Sequence, residues 1–314
     1  MDIKGLIKGL HHVTATVAGA QEDYDFYVKT LGLRLVKETV NFDNESVYHF
    51  YYGNEIGSPS TIMTTFPYAG QGVRKGAIGS GQVSQTSFSI PMGTLTFWKE
   101  RLKAQGVSYS TEQRFDQEIL VFEDPSGLKL DIMEAVDERT PVWSTADISK
   151  ENAIRGIHNV TLLISDIKTT IGFLELFGYE IKKQEGDLTL LEAGDGGAGN
   201  TLIVKDGKTA HQGVNGIGTV HHVAHRVASL ADSLRIKDFL VNNLGIMATD
   251  VKDRKYFESI YFRIPGGVLF EIATEGPGFL VDETREAMGN GLKLPDWQEP
   301  NRARIEAQLQ PYIK

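Results

Sequence analysis

The chain has 314 residues, is 41% hydrophobic, contains no cysteine and carries a formal net charge of -9 at pH 7. A chain of this length buries a full core and divides more readily into two compact domains than one, and the lack of thiols excludes disulfides and leaves only nitrogen and oxygen donors for a metal. The acidic balance, with no basic run beyond Arg74-Lys75, leaves no footprint for a phosphate backbone or an acidic membrane leaflet. Residues 1–10 are too interrupted by Lys4, Gly5, Lys8 and Gly9 for a signal-peptide core, and no later run approaches the roughly 20 apolar residues of a membrane span. The expectation is a cytoplasmic enzyme with neither nucleic acid nor membrane as partner.

One unit recurs along the chain. Gly9-Leu10-His11-His12-Val13-Thr14 opens the first copy; it returns as Gly156-Ile157-His158-Asn159-Val160-Thr161 in the third and Gly218-Thr219-Val220-His221-His222-Val223 in the fourth. A weaker second copy runs Val83-Ser84-Gln85-Thr86-Ser87-Phe88-Ser89-Ile90, and the openings lie about 60 to 75 residues apart. Helical spacing follows each opening strand: Tyr24, Tyr27, Leu31; then Leu95, Trp98, Leu102; then Ile171, Leu174, Phe177; then Leu234, Phe239, Leu244. Gly32, Gly106, Gly178 and Gly245 are the expected stops, and Trp98, Phe173 and Phe239 should be core. Asp124-Pro125-Ser126-Gly127 and Pro265-Gly266-Gly267 are turns feeding closing strands at 128–133 and 268–273. The glycine-rich stretch 194–199 precedes strand-forming residues and reads as a hairpin turn rather than a nucleotide loop, while 70–81 reads as a mobile loop near a pocket mouth.

The unit is thus βαβββ. It cannot close its own sheet, so two units should pair into a curved half-barrel with helices on the convex face. The predicted fold class is α+β, with four βαβββ modules paired into two cups. The polar stretch 136–153 separates an N-terminal pair of modules, 1–139, from a C-terminal pair, 154–275; residues 276–314 form an arm with a short helix at 302–309.

Strand alternation places His12 on one face with Thr14 and Thr16, His222 with Ala224 and Arg226, and Glu271 with Leu269 and Ala273. At 259–264, Ile260, Phe262 and Ile264 face the helices, leaving Ser259, Tyr261 and Arg263 on the concave side. A concave face of this composition is a poor core and a usable pocket. Two imidazoles and one carboxylate form a 2-His-1-carboxylate set that leaves three positions of an octahedron open, which suits iron(II), with zinc or manganese as substitutes. Where the first and fourth units carry His12 and His222, the second and third carry Gln85 and Asn159. Where the fourth carries Glu271, the second offers Asp131, the first Met63 and the third an apolar stretch around Ile203. The ligand count therefore predicts that the first unit packs against the fourth and that the other cup holds no metal.

At these residues the sequence resembles the vicinal-oxygen-chelate superfamily of glyoxalases, bleomycin-resistance proteins and dioxygenases. Within it, the chain is most similar to hydroquinone 1,2-dioxygenases and related ring-cleaving dioxygenases. The resemblance rests on Leu10-His11-His12-Val13-Thr14, Met63-Thr64-Thr65-Phe66-Pro67, Val220-His221-His222-Val223-Ala224, Asp253-Arg254-Lys255-Tyr256-Phe257, Ser259-Ile260-Tyr261-Phe262-Arg263 and Leu269-Phe270-Glu271-Ile272-Ala273-Thr274. It implies a non-haem Fe(II), extradiol-type enzyme acting with dioxygen on a small aromatic diol, with metal ligands His12, His222 and Glu271. The catalytic residues implied beside the metal are Tyr261, Arg254, His11, His221 and Thr14, with Tyr261 moving a proton and Arg254 stabilising anionic oxygen. Catechol-cleaving relatives draw the first histidine from the third unit, where Asn159 stands here, and this favours hydroquinones.

Strict alternation points His11 and His221 to the opposite face. Tyr261 read alone could be a wall residue and Arg254 a surface ion pair, while His49, His158, His211 and His225 read as structural or solvated. Two rival functions remain. A glyoxalase-like isomerase or thiol transferase would place a second carboxylate where Met63 stands, and a non-catalytic pocket for a small aromatic would leave the coincidence of the three ligands unexplained. Self-association is left open.

Overall fold

The structure is a computed structural model that describes residues 3–314; Met1 and Asp2, included in the expected N-terminal region, lie outside the described residues. The first unit comprises β1 (Ile7–Val17), α1 (Ala20–Tyr24, continued as a π-helical segment, Asp25–Thr30), β2 (Arg34–Asn41), β3 (Asn44–Gly53) and β4 (Ile62–Pro67). The second has β5 (Gln82–Ile90), α2 (Leu95–Ala104), β6 (Tyr109–Arg114), β7 (Gln117–Glu123) and β8 (Lys129–Glu134). In the third are β9 (Gly156–Ile164), α3 (Ile167–Leu176), β10 (Tyr179–Glu185), β11 (Leu188–Ala193) and β12 (Thr201–Asp206). The fourth has β13 (Thr219–Val227), α4 (Leu230–Leu244), β14 (Lys252–Asp253), β15 (Phe257–Arg263) and β16 (Leu269–Pro277).

Most of the expected helix faces are buried. Trp98 and Leu102 are the buried face of α2, and Thr170, Phe173 and Leu174 that of α3. In α4 the buried face is Ser233, Ile236 and Leu240, whereas Leu234 and Leu244 are exposed. Steps of five residues walk off a 3.6-residue turn, so the apolar character of those leucines misidentified the face. The helix stops where expected, at Gly245, whose φ of 66° is the left-handed conformation a side chain disfavours.

Two eight-stranded sheets result, β14-β15-β16-β13-β1-β4-β3-β2 and β10-β11-β12-β9-β5-β8-β7-β6. The seams are the antiparallel pairs β1 with β13 and β5 with β9. The first unit therefore pairs with the fourth and the second with the third, as the ligand count predicted. The sheets, rather than the chain halves 1–139 and 154–275, are the packing units. The stretch 136–153 links two strands of one sheet, β8 and β9, and it is not a free tether: Ile148 is buried against Gly32, and the Trp98 indole donates to the Asn152 carbonyl at 2.9 Å.

The chain crosses between sheets at 68–81 and 207–218. These two loops pair with each other through bridges Lys75 to Ile217, Ala77 to Val214 and Ser80 to Gln212. The segment read as mobile is thus held by backbone hydrogen bonds. The glycine-rich 194–199 is the expected hairpin turn, between β11 and β12. The arm folds back over edge strand β2, where Leu294, Ile305 and Leu309 cluster with Val40, and Lys37 pairs with Asp282 and Glu283. Its helix, α5 (Arg302–Glu306), is shorter than predicted. Covering the edge removes a row of unpaired backbone groups. Among the described residues, no helix is long and apolar enough to cross a membrane.

Candidate metal centre and its cavity

Strands β1, β13 and β16 lie side by side in the first sheet. His12 stands opposite Ala224, and Ala224 stands opposite Glu271, so the three side chains share a row on the concave face. His222, two residues before Ala224, shares that face. The Nε2 atoms of His12 and His222 lie 3.3 Å apart, and Glu271 Oε2 is 3.2 Å from the first and 2.8 Å from the second. All three residues are buried, Glu271 Oε1 has no hydrogen-bond partner, and Oε2 has only the two imidazole nitrogens beside it.

These observations fit a cation. Octahedral bonds of about 2.1 Å give edges of about 3.0 Å between neighbouring donors, close to the three separations seen. Burial would raise the Glu271 carboxyl, but the imidazoles of His12 and His222 outweigh it and hold it well below the usual carboxylate range. Burial also lowers His222, against the pull of Glu271, which favours the neutral, ligating imidazole. A buried carboxylate whose only polar neighbours are two neutral imidazoles is costly unless a cation compensates it. Ala224, with only a methyl group between His12 and Glu271, leaves the space for one.

His11 and His221 depart from strict alternation for a specific reason. The β1/β13 register jumps between Leu10 and His12 and again between Thr14 and Ala15, so His11 on β1 and His221 on β13 are each the extra residue of a bulge. A bulge turns adjacent side chains toward the same side. His11 Nδ1 accordingly lies 2.9 Å from His12 Nδ1, and His221 Nδ1 lies 2.8 Å from His222 Nδ1. His11 is further hydrogen-bonded to the backbone of Thr274, and burial together with His12 lowers its pKa to about 3. An unprotonated outer imidazole can accept the Nδ1 hydrogen of the inner one and so fix its Nε2 lone pair toward Glu271.

The three donors sit in the wall of a cavity of about 570 Å³ lined mainly by aromatic and polar side chains. Tyr261, opposite Glu271 on β15, lies 5.5 Å ring to ring from His222. Its hydroxyl oxygen accepts from Arg254 Nε and from Ser259 Oγ, each at 3.2 Å, which leaves its own hydrogen free for the cavity. Burial and then Glu271 push the Tyr261 phenol up, so it stays protonated. Arg254 combines both readings made of it: it contacts Tyr261 and also pairs with Asp43 at 3.0 Å. Thr14 does not line the cavity; its hydroxyl accepts from Thr64 at 2.8 Å.

The sequence reading missed His49 and Tyr51. They face the cavity from β3, while Tyr48, Phe50 and Tyr52 join the helix-side core. The alternation of β3 carried that signal. His225 is the structural histidine expected, buried against the Phe270 ring at 4.4 Å. In the first unit, the place of Glu271 is taken by Thr64, which pairs with Thr14, and not by Met63, which a one-residue offset turns into the core. No second carboxylate stands there.

In the second sheet the matching places hold Gln85, Asn159 and Asp131. Asp131 accepts from Gln85 and Ser87 at 2.7 Å and pairs with Arg114 at 2.9 Å, so that cup is filled by protein groups.

The family model described as the Glyoxalase/Bleomycin resistance protein/Dioxygenase superfamily matches residues 9–132. MhqO of Bacillus subtilis (strain 168), provisionally named a ring-cleaving dioxygenase, is 43% identical to this chain over 97% of it and 96% of MhqO. This chain belongs to the glyoxalase/bleomycin resistance/dioxygenase superfamily. Within the superfamily it is also 40% identical to the chlorohydroquinone/hydroquinone 1,2-dioxygenase of Sphingobium indicum, over 94% of this chain and 93% of that one. The crystal structure of a provisionally named dioxygenase from Bacillus subtilis superposes with a TM-score of 0.93 at 43% identity, covering 98% of each chain. The resemblance read from the motifs thus extends over nearly the whole chain, and its paired βαβββ units are those expected.

Proposed function

We propose that this protein is an iron(II)-dependent ring-cleaving dioxygenase that inserts dioxygen beside a hydroxyl-bearing carbon of a hydroquinone-type diol. The observation that carries the reading is the convergence of His12, His222 and Glu271 in the wall of an aromatic-lined cavity. The similarity to a hydroquinone 1,2-dioxygenase supports the choice of substrate. Held by two imidazoles and one carboxylate with positions to spare, iron(II) would acidify a phenolic hydroxyl and bring dioxygen beside an electron-rich ring.

The chain's own residues supply the rest. Tyr261, its oxygen engaged by Arg254 and Ser259, is set to donate its hydrogen to an oxygen carrying negative charge and to take a proton back as the ring opens. The guanidinium of Arg254 adds a fixed positive charge next to that phenol and stabilises anionic oxygen. His11 and His221 orient the two ligating imidazoles through their Nδ1 contacts. Thr14 supports the opposite wall through Thr64. Buried Phe257, 5.2 Å from the His12 ring, helps to exclude water on that side.

The test is anaerobic loading with iron(II), followed by oxygen uptake with a panel of para- and ortho-diphenols. Uptake with hydroquinones and formation of a ring-opened product are expected. No uptake with any member of the panel would overturn the proposal.

A further inference from the structure

The walls of the cavity offer hydrogen bonds of opposite sense. On the β15 side, Tyr261 accepts twice from protein and has a hydrogen left to give. On the β3 side, Tyr51 Oη lies 2.9 Å from His49 Nδ1, His49 Nε2 lies 2.9 Å from Thr64 Oγ1, and Thr64 Oγ1 donates to Thr14 Oγ1 at 2.8 Å. With its hydrogen committed to Thr14, Thr64 can only accept from His49. The His49 hydrogen is then on Nε2, its Nδ1 bears the lone pair, and Tyr51 must donate there. Burial lowers His49 well below its ordinary range, which keeps the ring neutral and this order intact. Tyr51 is 2% exposed, and its ring is wedged between Phe279, 5.0 Å away, and Tyr256, 6.1 Å away, which fixes where its oxygen meets the cavity.

We propose that Tyr51, positioned by His49 and Thr64, is the specificity residue for the second ring hydroxyl: its oxygen accepts a hydrogen from the neutral hydroxyl of the diol while the first hydroxyl engages the metal site. The inference rests on the diol reading above and deepens it. An ether in that place has no hydrogen to give and meets an oxygen that can only accept. The subsite therefore separates a hydroquinone from its mono-methyl ether by roughly ten- to a hundredfold in affinity, the range for a buried acceptor left unmatched.

The experiment measures anaerobic binding of hydroquinone and 4-methoxyphenol to the iron-loaded protein by calorimetry. Wild type should prefer hydroquinone by that factor. Tyr51→Phe keeps the ring among Tyr256 and Phe279 and should bring the ratio near one, mainly by weakening hydroquinone. Thr64→Val removes the acceptor for His49 Nε2, lets the ring take its other tautomer and turns the Tyr51 hydrogen into the cavity, so it should shift the preference toward the ether. A wild-type ratio retained in both variants, or equal affinity of wild type for the two ligands, overturns the subsite while leaving the diol reading standing. Binding of neither ligand by wild type overturns the diol reading and the subsite together.

Discussion

The two cups share a scaffold and differ in one row of side chains. In the first, the row is His12, Ala224 and Glu271; in the second, the same places hold Asn159, Ser87 and Asp131. A methyl group at the centre leaves room for a cation. At the matching place the Ser87 hydroxyl donates to Asp131 and approaches Asn159, and Arg114 reaches both Ser87 and Asp131. Even the arginines correspond: Arg114 and Arg254 hold equivalent positions on the outer hairpins. Val121 lies opposite Asp131 where Tyr261 lies opposite Glu271. With valine there, the arginine closes directly on the carboxylate. With tyrosine there, the arginine is held at the phenol and the carboxylate stays free for a metal. One fold thus yields either a compensated ion pair or a carboxylate grouped with two imidazoles as a candidate metal seat, depending on a handful of concave positions.

The largest effect that would break this contrast is loss of a donor. His12→Ala should reduce bound iron from about one per chain to near none by elemental analysis, and abolish oxygen uptake, while the second cup and the fold remain. Next comes the seat itself. Ala224→Leu leaves all three donors in place but fills the gap between His12 and Glu271, so iron content should again fall sharply; retention of full iron would show that the methyl group is not what makes room. In the other cup, Arg114→Met leaves Asp131 buried without its partner and should cost about 3–5 kcal/mol in urea unfolding. Iron content per folded chain should not change. Removing both charges with Arg114→Met and Asp131→Leu should recover much of that loss.

A pH-dependent effect lies between the cups. Asp23 of α1 accepts from Tyr52 and Thr65, and Tyr27 donates to Asp124 of the second unit. Burial raises Asp23 to about 8 and Asp124 to about 6. Because the folded chain binds these protons more tightly than the unfolded one, their contribution is greatest below about pH 4 and is lost as pH rises through 6 and 8. Unfolding free energy should therefore decline over this window by up to about 1.4 kcal/mol per pH unit for each group titrating. Asp23→Asn should flatten the decline above pH 6; an unchanged slope would remove Asp23 as its source.

Much of the site could be read along the chain because its donors recur at matching places of a repeat. His12 and His222 occupy the same place in two units, and Glu271 stands out against an apolar strand. The absence of good ligands at Gln85 and Asn159 predicted which units must meet. Strict alternation places His11 and His221 on the wrong face because a bulge is a property of two paired strands, and neither strand alone records the extra residue. Position along the unit matches Met63 to Glu271, where the register with β1 selects Thr64. Alternation along β3 aligns His49 with Tyr51 and away from Tyr48 and Phe50, a signal a lone histidine does not carry.

The amino-acid sequence by itself determined the unit, its turns and the three candidate metal donors, since these follow from period, glycine and proline chemistry and donor type, all local properties. Tertiary structure alone decided that Ala224 stands between two of the donors, that Arg114 closes on Asp131 while Arg254 stops at Tyr261, and that Tyr51 and Tyr261 present opposite ends of a hydroxyl. Each of those facts depends on register across strands distant in the chain, and a one-residue slip, which no single strand can detect, exchanges the face that lines a cavity for the face that packs a core.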